Sequence, residues 1–105
     1  RSQAIQDATK YAIEIPYRVM ETAYNSMEVM RAMAEHGLEA SISDAGVGAL
    51  CARTAVRGAG LNVKINVGGL KDKAFAETMV TKAQALMDAA EKMENEIMAL
   101  VEAKL

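Results

Sequence analysis

Apolar residues recur along this chain at steps of three and four, and in one stretch at steps of two. Met79, Ala83, Leu86, Ala90, Met93, Ile97 and Leu100 alternate four and three residues apart, which is the seam of a helix that wants another helix against it. Upstream, Met20, Tyr24, Met27, Met30 and Ala34 form a second stripe, and Ile5, Ala8, Ala12 and Ile13 begin a helix over residues 3–15. Pro16 interrupts it. A proline removes a helical hydrogen bond and crowds the turn before it, so the pattern predicts a kink or break near Ile13 to Ile15. Gly37 has the form of a C′ residue, with Arg31 and His36 near the negative end of the helix dipole. Ser41 with Asp44 has capping-box form, and Ser43 is an equally good N-cap. Gly68-Gly69 is a stop, after which Asp72 caps a last helix from about Lys73.

The stretch that disagrees is "GLNVKINVGG", residues 60–69. Leu61, Val63, Ile65 and Val67 alternate with Asn62, Lys64 and Asn66, which by itself reads as a half-buried strand. A lone strand needs a partner, and no second strand-like run exists. β-branched residues cost only a few tenths of a kcal/mol each in a helix. The expectation is therefore one helix from about Ser43 through Val67, and an all-α antiparallel bundle of three long helices with no sheet.

A helical reading gives the asparagines a shared face. Asn62 and Asn66 are four apart, and Asp44 precedes Asn62 by eighteen residues, five whole turns. Gly48, Cys51, Ala55 and Ala59 lie between, all small. The face is either a shallow groove about 27 Å long with polar groups at both ends, or a surface that lets a second helix come close. The seam from Met79 to Leu100 and the Met-rich stripe from Met20 to Met33 together exceed what a three-helix core covers easily, so self-association is expected.

Composition excludes several classes. A net charge of −2 with interspersed signs gives no reason to expect nucleic acid or an anionic membrane surface. No run approaches the roughly 20 apolar residues of a membrane span. One cysteine, Cys51, makes no intrachain disulfide, so a reducing cytoplasm is the default. One histidine and one cysteine make a metal site improbable, and there is no phosphate loop or dinucleotide fingerprint. The chain begins without Met, as a piece of something longer would.

"SDAGVGAL" at 43–50, "NVKIN" at 62–66, "KD" at 71–72 and the proline-bearing "EIPYRVME" at 14–21 resemble, in that order and spacing, the cyclodeaminase/cyclohydrolase family of folate enzymes. The resemblance runs across nearly the whole chain. It implies an all-helical, homodimeric domain acting on one-carbon units of tetrahydrofolate, without a further cofactor and without a metal. The activity implied is cyclisation of 5-formimino-tetrahydrofolate to the 5,10-methenyl form with loss of ammonia, or hydrolysis of the methenyl form. Members of the family carry another block of similar length before this region, with a glycine-rich segment after a proline. Residues 1–105 are thus expected to be the C-terminal half of such a domain, with little activity alone.

Asp44 is the candidate acid/base, its other reading being a helix cap. Ser43, Asn62 and Asn66 are candidate substrate contacts, against capping for Ser43 and helix–helix contact for the asparagines. Arg53, Arg57 and Lys64 form a second stripe, either a solvated face or a grip on the glutamate tail of folate. The rival to all of this is a non-catalytic helical interaction module.

Overall fold

The computed structural model describes all of residues 1–105, in three helices: α1 Ser2–His36, α2 Ile42–Val67 and α3 Lys73–Ala103, with a short 3₁₀ turn at Glu39–Ser41 before α2. They run up, down and up in a narrow bundle of 57 × 17 × 15 Å. Residues 60–67 are helical, as the pairing argument requires. Their alternation has a simple source: Val63 faces the core, whereas Leu61 and Ile65 stand exposed on the outer face of the same helix. Both faces of α2 carry apolar side chains, and a helix apolar on two faces imitates a strand.

The core follows the sequence stripes. Ile13, Met20, Met27 and Ala34 are buried at seven-residue intervals along α1. α3 contributes Met79, Ala83, Ala90, Ile97 and Val101, with Leu86, Met93 and Leu100 half-buried against them. This seam is covered inside the chain, by α1 and α2, and so is not the surplus apolar surface that the stripe suggested. What covers it is a helix of unusually small side chains. α2 buries Ala45, Gly46, Ala49, Ala52, Val56, Ala59, Gly60 and Val63. A Cβ on Gly60 would stand 2.7 Å from Met87 Sδ of α3 and 3.1 Å from Met20 Cε of α1. α2 is wedged between two longer helices, and its lack of bulk is what admits it.

Pro16 does not break α1, which continues through it as helix. A proline cannot donate to the carbonyl four residues back, here that of Ala12. The side chain of Asn66 on α2 donates to that same carbonyl, Nδ2 to oxygen at 3.1 Å. The lone proline and the second asparagine are thus two halves of one arrangement, with the helix–helix contact supplying the bond that the proline removed.

The ends of the helices depart from the sequence reading in several places. Gly37 follows α1 with φ −75° and ψ 176°, extended rather than left-handed. A side chain there would instead run into the Met33 carbonyl oxygen. Arg31 does not serve the end of α1 but donates to Glu96 of α3 at 2.9 Å. The last carbonyls of α1, at Ala34 and Glu35, are taken by the ammonium of Lys104 at the end of α3. No side-chain cap closes the start of α2; the 3₁₀ turn, with Ser41 N–H donating to Leu38 oxygen at 3.0 Å, leads the backbone into it. Ser43 is not the cap, because α2 already begins at Ile42, and the Ser41–Asp44 box does not form although Ser41 is the N-cap residue, since no side-chain hydrogen bond closes that end.

Asp72 does cap α3, accepting from the Phe75 N–H at 3.1 Å. It also pairs with Lys10 of α1 at 2.9 Å, while the Lys10 ammonium lies over the Phe75 ring, 4.9 Å from its centre. Gln6 binds both sides of the preceding turn, donating to the Gly69 carbonyl at 3.2 Å and accepting from the Lys71 N–H at 2.9 Å. The first turns of α1 therefore hold the α2–α3 connection shut.

Three outcomes follow. Gly60→Val should destabilise the fold by about 1–3 kcal/mol through overpacking, read as a lower melting temperature; an unchanged midpoint would show that α2 is not wedged. Asn66→Ala should cost about 0.5–1.5 kcal/mol in the native background and markedly less alongside Pro16→Ala, whose restored N–H can serve Ala12. Strict additivity in that cycle would exclude the compensation. The Lys10 hydrogen bond, then the Phe75 N–H, hold the Asp72 carboxyl below its ordinary value of 3.8. A depressed carboxyl stabilises above its unfolded pKa and loses that contribution as pH falls through the folded one. Acid titration of Asp72→Asn should accordingly show a smaller loss of stability below about pH 4 than the native chain does.

Candidate functional site

α2 carries every candidate residue, and its neighbours divide them. On the side facing α3, Arg53 donates to Glu94 at 3.0 Å and lies 3.9 Å from Glu91, its guanidinium largely covered. Lys64 donates to Gln84 of α3 at 2.8 Å. These two cations act as fasteners between α2 and α3. Arg57, one turn from Arg53, is exposed and lines a shallow depression with Thr54, Gly58 and Leu61. Of the basic stripe, it is the member whose charge is directed outward.

On the side facing α1, Asn66 is committed to Ala12, and Gly48 sits under Met30, whose terminal methyl would be 3.2 Å from a Cβ there. Asp44, Cys51, Ala55 and Asn62 remain exposed. Helical periodicity puts Asp44 and Asn62 at the same angle around α2, about five turns and 27 Å apart along it. Both are on the side of α2 turned toward α1. Exposed apolar residues stand on the outer surfaces of both helices, Ile15, Val19, Val29 and Met33 on α1 and Val47, Leu50, Leu61 and Ile65 on α2. Ile15, Arg18, Val19, Thr22, Ala23 and Ser26 line a concavity on α1 that no residue of α2 shares.

The arrangement selects among the candidates. Ser43 is exposed beside Asp44 in the first turn of α2, and Asp44, relieved of any capping duty, presents its carboxyl group to solvent. Asp44 and Ser43, adjacent at the start of α2, are of types that move a proton, and Asn62, about 27 Å away along the helix, is of a type that pairs with the donor and acceptor edge of a flat heterocycle. No three His, Cys, Asp or Glu side chains come together as a metal would require. His36 ends α1 beside Glu35, 3.5 Å away, and Cys51 is a free, exposed thiol. No helix is long and apolar enough to cross a membrane. The sequence pattern missed the outward apolar residues of α1 and α2. The signal was present in the strand-like alternation of Leu61 and Ile65 around Val63.

Comparison with known proteins adds the chemistry of relatives. The chain is 34% identical over 105 residues to a methenyltetrahydrofolate cyclohydrolase of Methylorubrum extorquens, which covers 100% of this chain and 50% of the relative. It is 35% identical over 92 residues to a formimidoyltransferase-cyclodeaminase of Dictyostelium discoideum, covering 88% of the chain and 17% of that protein. The corresponding protein of Gallus gallus is 31% identical over 102 residues, 97% of the chain and 19% of the relative. The chain thus spans about half the length of the first of these and under a fifth of the others. A family model described as formiminotransferase-cyclodeaminase matches residues 1–85, taking in the Pro16 helix, Asp44, both asparagines and the Asp72 cap, and the chain belongs to that family.

Proposed function

We propose that residues 1–105 are the C-terminal half of a helical domain that remodels one-carbon units on tetrahydrofolate, with Asp44 as its acid/base. The observation that carries this reading is the state of Asp44: an exposed carboxylate in the first turn of α2, on the same face of the helix as Asn62, and without the capping duty that would otherwise explain it. In the cyclodeaminase form, N10 of 5-formimino-tetrahydrofolate attacks the formimino carbon. Asp44 takes the N10 proton and delivers it to the departing nitrogen, which leaves as ammonia as the 5,10-methenyl bridge closes. In the cyclohydrolase form, Asp44 takes a proton from the water that adds to the methenyl carbon, and N5 is protonated as its bond to that carbon breaks.

In this reading Ser43 serves the pterin edge beside Asp44, Asn62 contacts the substrate about 27 Å further along the same face of α2, and Arg57 takes the carboxylates of the glutamate tail. Arg53, Lys64 and Asn66 support the same site indirectly, since their hydrogen bonds hold α2 against its neighbours. The folate is the substrate, and no separate cofactor or metal enters. The chain works as a homodimer in the cytoplasm and is weakly active or inactive by itself, because a cleft needs a second wall. A non-catalytic interaction module is the second reading, favoured by the exposed apolar stripes.

Asp44→Asn in the full-length protein should lower turnover about 10²- to 10⁴-fold, the usual cost of losing a placed proton-transfer group, with its melting temperature unchanged. Retained turnover would remove Asp44 from the chemistry. Calorimetry with a reduced folate separates the two readings, since an interaction module shows self-association and no folate heat.

A further inference from the structure

The connection between α1 and α2 delivers Asp44, yet little of its own fixes where that residue points. Residues 35–40 are all exposed, Leu38 by 78%, and the backbone of the 3₁₀ turn comes near α2 alone. The hydrogen bonds of the connection are local: Gly37 N–H donates to Met33 oxygen at 2.8 Å and Ser41 N–H to Leu38 oxygen at 3.0 Å. With no side-chain cap at the start of α2, the angle of its first turn has to be set from outside.

One turn at the end of α3 grips both sides of this connection. The Lys104 ammonium donates to the Glu35 carbonyl at 2.8 Å and to that of Ala34, where a cation also meets the negative end of α1. The backbone N–H of Lys104 donates to the Val101 carbonyl at 3.0 Å, which ties the two residues into one turn. Val101 is buried, and its side chain lies 3.4 Å from where a Cβ on Gly46 would stand, with the Met98 sulfur at 3.6 Å. Ile42 and Gly46, four residues apart, are buried at the start of α2. Asp44 lies two residues from each, about 160° around the helix from both. Any rolling of α2 on its Val101 contact therefore swings the Asp44 carboxyl group.

We propose that Lys104 is a positioning residue for Asp44: it fastens the end of α1 to the turn of α3 on which the start of α2 rests, and so keeps the carboxyl group in one direction. The part in catalysis rests on the reading of Asp44 as acid/base; the hold on α2 does not. Lys104 is engaged with two main-chain carbonyls, so its influence on the chemistry passes through the first turn of α2. Its bonds are charge-assisted, stronger than those between neutral groups, and without them only the local bonds of an exposed connection remain. Misplacing a reacting group by about 1 Å can cost about 10²-fold in rate.

In the full-length protein Lys104→Met should lower kcat about 10- to 100-fold with KM unchanged. Lys104→Arg, which keeps donors for both carbonyls, should restore most of that loss. In an Asp44→Asn background Lys104→Met should cost nothing further, because residues that act as a unit are not additive. Hydrogen exchange in Lys104→Met should quicken at residues 45–49, whose N–H groups bond the carbonyls of the first turn, and hold its rate at residues 56–63. Val101→Ala, which loosens the other side of the grip, should give the same exchange pattern. Unchanged exchange at residues 45–49 in both variants overturns the hold on α2. A kcat that persists in Lys104→Met, or a full further loss in the Asp44→Asn background, overturns the positioning role whatever the melting temperature does. Turnover retained by Asp44→Asn alone defeats the acid/base reading, and Lys104's part in the chemistry with it, while the exchange pattern still decides whether α3 holds α2.

Discussion

The close approach of α2 to both of its neighbours is the constraint on which this structure depends. An α-helix bearing ordinary side chains stands 8–10 Å from its partner; one faced with Ala45, Ala49, Ala52, Ala59 and Gly60 lets methionines from both sides, Met20 and Met87, close over its backbone. Methionine suits that role because its unbranched chain fills irregular gaps. The arrangement explains the uneven composition, with four glycines and no methionine in the middle helix and all eight methionines in the outer two. It also explains the polar contacts along the edges of α2. Once backbones come this near, short side chains such as that of Asn66 reach carbonyls on the next helix.

Those edge contacts sort the polar residues of α2 into two kinds. Arg53 is held by Glu94 and Glu91, Lys64 by Gln84 and Asn66 by Ala12, and each spends its hydrogen-bonding capacity on registering α2 against its neighbours. Asp44, Asn62, Ser43 and Arg57 are exposed and keep theirs. The first group fixes where the second one points, since a slip of α2 by one residue would rotate Asp44 and Asn62 by about 100° away from the side turned toward α1.

How much of this was legible in the chain depends on how far apart the interacting residues lie. The three helices, the stop at Gly68-Gly69 and the Asp72 cap were legible, because periodicity and capping are interactions between residues three to seven apart. So was the helical state of residues 60–67, from the lack of any strand for them to pair with. Continuity through Pro16 was not, because the group that replaces its missing bond is Asn66, far along the chain. Nor was the capping of α1 by Lys104, or the extended backbone at Gly37, which a left-handed C′ glycine resembles in sequence.

For the site, the sequence by itself determined which residues share a face: Asp44 with Asn62, and Arg53 with Arg57 and Lys64, because the helical repeat assigns angles whatever surrounds the helix. The tertiary structure alone decided what each face meets. It turned the Met79–Leu100 seam inward, drew Arg53 and Lys64 onto α3 and Asn66 onto α1, and left Val47, Leu61 and Ile65 outside. A stripe of apolar residues records that a helix has a partner, and gives no sign of whether that partner lies in the same chain. Only packing settles it, because burial is a property of the space between helices and not of the helix that carries the stripe.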